Sequence, residues 1–496
     1  MSETSSKANI RNSSTVTNPT YSTLSKRMKT MIVTIVFITC FTNPLSANMY
    51  FPALNVIGQE LQLLEQQVHW SITVYMMAQG VSPCLWGSIA DTYGRRPVLI
   101  ITILIYFSAC VGLACTQNYI TLLFLRILQA FGASSSLALG TGAIGDISTP
   151  DERGGYMGIL SMGSMMGTLV GPVLGGIITY QLGWRWIMWV LAIFAGIVFI
   201  MQICLFPETL RSLVGDGSGY ANPTPLQYWR QQSLNEEKDE TNISTQHSET
   251  NKLHLLKPLL QPFLNLKEKD IIILLVYNSL QYASLYCVMT SSTKLYSEIY
   301  GLQEIQIGLC YLSNGFGALL GSYTCGKLLN WRFRKIARSL KIDEKYTKRG
   351  SLDPDFPIER ARLGVTWIWG LLFNIFMICY GWCLFYKLHI AIPISINFIL
   401  SYCATSTFNA VSTLLVDLFP INSAACIASN NLVRCLLAAL ATLTVQPGLK
   451  ILSPGWYFTT VSSVLFVSRI TMFFELKFGP KWRAKRLEKQ SEDSSP

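Results

Sequence analysis

Between two long apolar runs stands the stretch Gly87-Ser-Ile-Ala-Asp91-Thr-Tyr-Gly94-Arg95-Arg96-Pro97-Val-Leu99. Gly87 permits close helix contact, and Asp91 can accept hydrogen bonds from the first amides of a neighbouring helix. Arg95 and Arg96 can pair with carboxylates or with lipid phosphates, although anchoring by positive charge alone is the simpler interpretation. The stretch therefore predicts two helix ends joined by a very tight charged turn.

The composition places the apolar runs in a membrane. Half of the 496 residues are hydrophobic and only 14% are charged, whereas a soluble domain carries roughly 25% charged residues. About twelve spans of about 20 residues each would use the excess of apolar side chains. The net charge of +11 does not indicate nucleic-acid binding, because the charges cluster between the apolar runs. The 13 cysteines contain no CxxC pair and lie mostly in apolar runs, which argues against a disulfide or zinc framework.

Six apolar segments precede a polar stretch and six follow it. The first six cover about 31–54, 68–89, 97–116, 120–142, 156–180 and 184–206. The second six cover about 271–292, 304–328, 363–386, 390–416, 424–446 and 455–475. We predict an all-α membrane protein with twelve transmembrane helices in two pseudo-symmetric six-helix halves, an arrangement typical of transporters built from repeats.

The polar segments set the domain boundaries and the orientation. The predicted order is a disordered N-tail 1–29, a first half 30–206, a linker 207–269, a second half 270–475 with a loop 330–362, and a C-tail 476–496. Most Lys and Arg residues fall in the tails and in the even-numbered turns, so both termini are expected in the cytoplasm.

The fourth segment carries an arginine, in Leu125-Arg126-Ile-Leu-Gln129-Ala-Phe-Gly132-Ala133. A charge inside an apolar helix is costly, so Arg126 should face a cavity or a partner. The alternative is a guanidinium that reaches the outer interface, about two turns away.

The fifth segment contains Gly163-Ser-Met-Met-Gly167-Thr-Leu-Val-Gly171-Pro172-Val-Leu-Gly175-Gly176. Glycines at every fourth position give a smooth face on which another helix can pack closely. Pro172 removes one backbone hydrogen bond and bends the helix. Generic helix packing is the alternative to a functional role.

These strings resemble motifs of the major facilitator superfamily. The turn resembles its loop signature, and the Arg126 string resembles a motif to which proton transfer is attributed. The Gly163 to Gly176 string resembles the motif that distinguishes proton-coupled exporters from importers. Pro44 to Leu54 and Phe206 to Arg211 look like fungal 12-span drug:proton antiporters.

Within that class, Asn430 to Cys435 is similar to the quinidine-resistance group, which also contains the dityrosine exporter of the ascospore wall. The resemblance covers about residues 30–475. It departs at Gly326 to Asn330, where a repeat of the loop signature would have an acid, and a second charge relay is not implied there.

The resemblance implies a proton-coupled antiporter that exports small amphipathic organic molecules by alternating access: drugs, weak acids, amino-acid-derived or dityrosine-like compounds. A proton-coupled nutrient importer is the first alternative, and the fifth segment argues against it. A non-transporting sensor on the same fold is the second, and the short C-tail argues against it. No P-loop, HExxH or nucleophile elbow is present, so neither an enzyme nor a cofactor or metal site is expected.

Conformational change and proton coupling are expected to involve the loop signature and the fourth segment. The residues are Asp91, Arg95, Arg96, Arg126 and Asp146. Asp146 and Asp417 end their helices, either as solvated charges or as latch partners of Arg95, Arg96 or Arg434.

The predicted cavity is neutral to positive, because the segments place arginines but no carboxylate near the midplane. A multiply charged cation would need a carboxylate there. We therefore expect a neutral, zwitterionic or carboxylate-bearing cargo, although the quinidine-type resemblance also favours weakly basic drugs that cross uncharged. The candidate cavity residues are Asn48, Tyr50, Gln79, Arg126, Phe408, Asn431 and Arg434.

The expected partners are a small-molecule substrate, protons and the lipid bilayer, with no nucleic acid and no second subunit. The plasma membrane is the expected location, with the vacuolar and prospore membranes as alternatives.

Asn12-Ser-Ser and Asn242-Ile-Ser fit the glycosylation pattern but fall on the predicted cytoplasmic side. Both asparagines should therefore be unmodified in the native protein. A shift in electrophoretic mobility on endoglycosidase treatment, lost in Asn12→Gln or Asn242→Gln, would contradict the orientation.

Overall fold

The computed structural model describes residues 24–148, 150–215, 221–225, 227–229, 268–339, 357–418 and 423–494. Most of the predicted N-tail, most of the linker, part of the 330–362 loop and both glycosylation sequences lie outside the described residues.

The described residues of the first half form eight helices, and one short turn of helix follows at the start of the linker. Their bounds are α1 Lys26–Met49, α2 Leu54–Glu60, α3 Glu65–Tyr93, α4 Arg95–Ala114, α5 Tyr119–Ala133, α6 Ser136–Ile147, α7 Pro150–Leu182, α8 Trp184–Leu205 and α9 Arg211–Val214. α5 and α6 together form the predicted fourth span, with a break at Ser134 and Ser135.

The described residues of the second half form eight helices. Their bounds are α10 Lys269–Tyr300, α11 Glu304–Cys310, α12 Leu312–Ser339, α13 Ile358–Leu363, α14 Thr366–Phe385, α15 Ala391–Leu418, α16 Ser423–Ile451 and α17 Pro454–Ser494. We call the end of the bundle where α1 begins and α17 finishes the termini end, and the other the far end.

Within the described ranges, ten helical segments are long and apolar enough to cross a membrane. The predicted second and eighth spans, α3 and α11–α12, complete the twelve. Both are less apolar because they face the opposite half: α3 packs on α16, and α11 and α12 pack on α7. Their buried polar side chains, such as His69 and Asn314, lie inside protein and not in lipid.

The two halves repeat the same packing pattern. In the first half α1 contacts α7, α4 contacts α8, and α3 contacts α5. The corresponding pairs of the second half are α10 with α16, α14 with α17, and α12 with α15. The predicted two-half, all-α architecture is confirmed.

The outer surface of the bundle is apolar. Ile193, Ile197 and Ile200 on α8 are each more than half exposed, as are Phe466 and Val467 on α17. In water this surface would favour aggregation, whereas in a bilayer it contacts lipid tails.

Some helix ends differ from the predictions. α1 ends at Met49, and the chain turns before α2 begins at Leu54. α12 continues to Ser339, well past the predicted end at 328, and α17 continues through most of the predicted C-tail to Ser494. Hydropathy underestimates these helices because charged residues extend them beyond the apolar core.

The glycines of α7 permit backbone contact with α1. A methyl group placed on Gly163 or Gly167 would lie 2.8 Å from the carbonyl oxygens of Phe37 and Phe41. On Gly171 it would lie 2.9 Å from Cβ of Asn48, and on Gly175 it would overlap the Met49 carbonyl.

The last glycine of the string faces the other half. A methyl group on Gly176 would lie 2.5 Å from the carbonyl oxygen of Glu304, and one on Gly308 would lie 2.6 Å from that of Pro172. One glycine-rich helix therefore packs tightly both within its own half and across to α11.

Gly171→Leu should lower the free energy of unfolding by roughly 1–3 kcal/mol, because the larger side chain overpacks the contact between α1 and α7. Gly158→Leu on the same helix is the matched control, since a methyl group there meets nothing within 4 Å. Thermal unfolding of the detergent-solubilised variants measures the difference. Equal melting temperatures would contradict the close-packing interpretation.

Candidate functional site

Arg126 lies inside the first half among aromatic rings. Its side chain is completely buried, with 1% of the residue exposed. The guanidinium carbon lies 3.8 Å from the ring centroid of Tyr50 and 4.3 Å from that of Tyr75, and one nitrogen donates to Oε1 of Gln129 at 2.6 Å. The alternative of a side chain that reaches the outer interface is wrong, because the residue is buried and its guanidinium lies against two protein rings.

The surrounding side chains fix the two rings. The Tyr50 hydroxyl is 2.9 Å from Oγ of Ser71, and the Tyr75 hydroxyl donates to Oδ1 of Asn43 at 3.0 Å. Both tyrosines are thereby oriented towards Arg126.

Arg126 borders a small cavity between the halves. The lining residues are Ala47, Tyr50, Phe51, Ile72, Tyr75, Met76, Gln79, Arg126 and Tyr286. Its volume of about 10 Å³ leaves room for about one water molecule. A substrate can enter only after the helices separate.

Arg434 on α16 has a similar environment in the second half. Its guanidinium carbon lies 4.3 Å from the ring centroid of Tyr282 and 4.7 Å from that of Phe408. One nitrogen donates to Oδ1 of Asn431 at 2.8 Å.

The two arginines are linked through the rim of the cavity. Asn431 donates from Nδ2 to the backbone carbonyl of Gln79 at 3.1 Å. Tyr286, which lines the cavity beside Arg126, packs on Tyr282 with ring centroids 4.6 Å apart. Both cations therefore border one region between the halves.

Neither guanidinium forms an ion pair with a carboxylate of the described residues. Cation–π contacts and one amide oxygen each are their observed partners. The Nε atoms of both arginines have no hydrogen-bond partner in the described part of the protein. The positive character predicted for the cavity is present.

Asn48 is placed differently from the prediction. It lies on the face of α1 that packs on Gly171, and its amide donates to the Pro44 carbonyl at 2.7 Å. The cavity is lined instead by Tyr50 and Gln79, while Phe408 and Asn431 contact Arg434.

Sequence reasoning missed Tyr75, Tyr282 and Tyr286. The chain has 22 tyrosines and 24 phenylalanines, so an aromatic residue in an apolar helix carries no signal of its own. Only the fold shows which rings contact a guanidinium.

The far end of the bundle is closed by contacts between the halves. Glu65 on α3 pairs with Lys294 at 2.5 Å and with Lys450 at 3.6 Å. Deeper in the bundle His69 hydrogen-bonds to Gln446 at 3.1 Å.

These cross-half contacts continue towards the middle of the bundle. Thr73 meets Thr442 at 3.0 Å, and a methyl group on Gly80 would lie 3.0 Å from Cβ of Cys435. The contacts that close the far end thus run along α3 from Glu65 to about Gly80.

At the termini end, Arg95 joins the ends of α3 and α6. It lies 2.6 Å from Asp91 and 3.3 Å from Asp146. A methyl group on Gly142 would lie 2.6 Å from its guanidinium carbon, so that glycine makes room for it. Of the alternatives left open for Asp146, the structure shows the ion pair with Arg95, which lies within the first half.

Glu208 caps α4, which was expected of Asp91. Its Oε1 accepts from the amides of Arg95, Thr209 and Leu210 at 2.8–3.1 Å, and its Oε2 from the amide of Arg96 at 3.3 Å. Gly94 adopts φ +112°, and a side chain there would overlap this carboxylate. The prediction failed because residue 208 is distant in sequence from the helix that it caps.

Arg96, the next residue of α4, binds backbone oxygens at the same end of the bundle. It donates to the carbonyls of Ile203, Phe206 and Pro223 at 2.8 Å each. These bonds fix the end of α8 to the start of α4.

The second half has its own ion pair at the termini end. Asp417 pairs with Arg362 at 2.8 Å, and the Arg362 guanidinium also lies 4.9 Å from the Phe333 ring. Of the two alternatives left open for Asp417, a solvated charge or an ion pair, the structure shows an ion pair, but its partner is Arg362 at the end of α13 and none of the three arginines considered. The second half therefore has an ion pair at this end although Gly326 to Asn330 lacks the acid of the loop signature.

Asp91→Asn and Glu208→Gln should separate transport from stability. Asp91 has 56% of its side chain exposed, so its ion pair contributes little to folding, and we expect near-normal melting with severely reduced transport. Glu208 is buried with four amide donors, so its loss should cost about 1–3 kcal/mol of stability. Melting curves and proteoliposome flux test both variants. Normal flux in Asp91→Asn would show that this residue is dispensable for the transport cycle.

Comparison with known proteins identifies the family. Residues 36–442 match the Major Facilitator Superfamily. Citrate exporter 1 of Aspergillus niger is 37% identical over 94% of this chain and 89% of its own length. Quinidine resistance protein 1 of Saccharomyces cerevisiae is 33% identical over 92% of this chain and 84% of its own.

Solved structures share the fold. The xylose transporter XylE of E. coli, in a partially occluded inward open conformation, matches with a TM-score of 0.62 and 14% identity, over 91% of this chain and 98% of its own. The human organic anion transporter MFSD10 matches with a TM-score of 0.56 and 14% identity, over 90% and 99%. This chain belongs to the major facilitator superfamily and is a multi-pass membrane transport protein, not an enzyme.

Proposed function

We propose that this protein is a proton-coupled antiporter that exports small organic molecules, and that its preferred cargo carries a carboxylate. The observation that supports the cargo class is the pair of guanidiniums, Arg126 and Arg434, at one central region without a carboxylate partner among the described residues.

The energetics favour an anion at this position. Removing a guanidinium from water costs several kcal/mol in a low-dielectric interior. Each cation–π contact returns about 0.5–2 kcal/mol, so two rings per arginine offset only part of that cost. A carboxylate can provide the rest, because a guanidinium can bind it through two parallel hydrogen bonds.

The aromatic rings favour planar or amphipathic cargo. Tyr50, Tyr75 and Tyr286 line the cavity with Arg126, while Gln79 offers a buried Oε1 without a hydrogen-bond partner in the described residues. A cargo with an acid group and an apolar body would match both surfaces. The names of two relatives, a citrate exporter and a quinidine resistance protein, are consistent with organic acids and drugs as cargo.

Alternating access would require the far end to open. The Glu65 ion pairs with Lys294 and Lys450, and the His69–Gln446 bond, would have to break during each cycle. With both termini in the cytoplasm, as proposed from the distribution of Lys and Arg, the closed far end would face the cell exterior or an organelle lumen.

Coupling to protons would act through groups whose charge differs between conformations. Asp146 is a candidate, because protonation would remove its attraction to Arg95 at the junction of α4 and α6. Arg126 would contribute by changing its partner from Gln129 to the cargo. The glycine-rich α7, with Pro172 against α11, would transmit movement between the halves.

A monomer in the plasma membrane is the proposed form. Each half buries its own polar face against the other, so one chain provides the whole cavity.

Uptake of a labelled carboxylate into proteoliposomes, driven by an imposed pH gradient, tests the function. Citrate and an aromatic carboxylate should compete with the labelled cargo, spermidine should inhibit poorly, and collapse of the gradient should stop accumulation. Strong spermidine transport would overturn the proposed cargo class, and uptake that ignores the gradient would overturn the coupling.

Arg126→Gln should reduce the preference for a carboxylate over its neutral amide analogue by at least about tenfold. This factor corresponds to about 1.4 kcal/mol, because the variant loses one hydrogen bond between two charged groups. Arg126→Lys should retain part of it. Arg469→Gln is the matched control, because Arg469 is also buried in the membrane region but contacts the Trp367 carbonyl away from the cavity. The measurement is the ratio of the inhibition constants of the carboxylate and its amide analogue, because this ratio does not depend on the amount of folded protein. An unchanged ratio in Arg126→Gln would contradict the proposal that Arg126 binds the carboxylate.

A further inference from the structure

We propose that the outward face of α12 at the termini end is a binding site for the headgroup of an anionic phospholipid. An open groove of about 440 Å³ lies there, and all of its lining residues in the described part of the chain belong to α12. Its lining residues are Lys327, Asn330, Trp331, Arg334, Lys335 and Arg338.

The same helix face is apolar and exposed one to three turns earlier. Phe316, Leu320 and Tyr323 are 54%, 45% and 61% exposed. They follow each other at the spacing of one helix face and lead directly into Lys327 and Trp331. The apolar part of this face contacts lipid tails, because no described helix covers it.

The length of the helix places the basic part at headgroup level. Phe316 and Trp331 are separated by about 22 Å along the axis, at about 1.5 Å per residue. A bilayer core is about 30 Å thick, so a face with Phe316 among the tails has Trp331 and Arg334 near the phosphates.

The charges on this face are all positive. No acid occurs between Glu304 and Asp343. Arg332 is directed into the bundle, where it lies against Gly364. The outward cations form no ion pair with a carboxylate of the described residues, so they are available for a phosphate.

Two aromatic rings orient the cations. The Lys327 ammonium lies 4.3 Å from the Tyr323 ring centroid, and the Lys335 ammonium lies 5.1 Å from that of Trp331. Tyrosine and tryptophan prefer the membrane interface. A cationic groove that continues an apolar, lipid-facing surface fits a molecule with an anionic head and acyl tails better than a soluble polyanion.

The test measures lipid enrichment around Trp331 in reconstituted full-length protein. Brominated phosphatidylserine and brominated phosphatidylcholine quench tryptophan fluorescence on contact, and subtraction of the Trp331→Phe variant isolates the contribution of Trp331. We expect phosphatidylserine to be enriched there by about fivefold or more, since each Lys or Arg near an anionic surface contributes about 1 kcal/mol. High salt should reduce the enrichment.

The triple variant Lys327→Gln/Arg334→Gln/Arg338→Gln should abolish the enrichment. The matched control is Lys477→Gln/Lys481→Gln, which removes exposed lysines from α17 at the same end of the bundle. Equal quenching by the two lipids in the wild-type protein, or an enrichment that survives the triple variant, would overturn the proposal. This outcome does not depend on the transported cargo, so the proposed function is tested separately.

Discussion

The free energy of placing a charge in an apolar medium constrains where the ionisable groups of the described residues lie. Among the described residues, the carboxylates that form ion pairs lie at the two ends of the bundle, where water and opposite charges are close. Arg126 and Arg434 lie instead near the middle, and each guanidinium carbon is 3.8–4.7 Å from the centroids of two aromatic rings. This region is therefore positive because the two guanidiniums have no carboxylate partner among the described residues, and the ring faces compensate only part of their charge.

A second constraint is steric. α7 approaches α1 so closely that the carbonyl oxygens of Phe37 and Phe41 lie where side chains would otherwise be, and its last glycine lies against Glu304 in the other half. In a membrane, helices associate largely through such packing, because lipid tails are as apolar as leucine. A helix that contacts both halves through glycine can shift with small changes in side-chain packing, which suits a carrier that must alternate between conformations.

The two halves share the arrangement of their helices, but not the side chains that form their ion pairs. Helix pairs repeat between the halves, but the charged contacts at the termini end are built differently. Glu208 and Asp146 join α4, α6 and α8 in the first half. In the second half Asp417 pairs with Arg362, while Asp270 pairs with Arg486 on α17. The same mechanical requirement, a fixed junction at the termini end, is met by different residues because any opposite charge of suitable reach will serve.

Local patterns were sufficient for the architecture. The lengths of the apolar runs, the glycine spacing and the charged turn predicted the helices, the two halves and the close packing of α7, because the bilayer imposes length and the backbone imposes periodicity. The same patterns predicted a positive cavity, since they showed arginines and no acid at that depth. Only the tertiary structure decided which partners meet: Glu208 and not Asp91 caps α4, Arg362 and not Arg434 pairs with Asp417, and Tyr75 and Tyr282 contact the cavity arginines. Such pairings join residues far apart in the chain, and their identity depends on how helices are rotated and offset, which hydropathy does not encode.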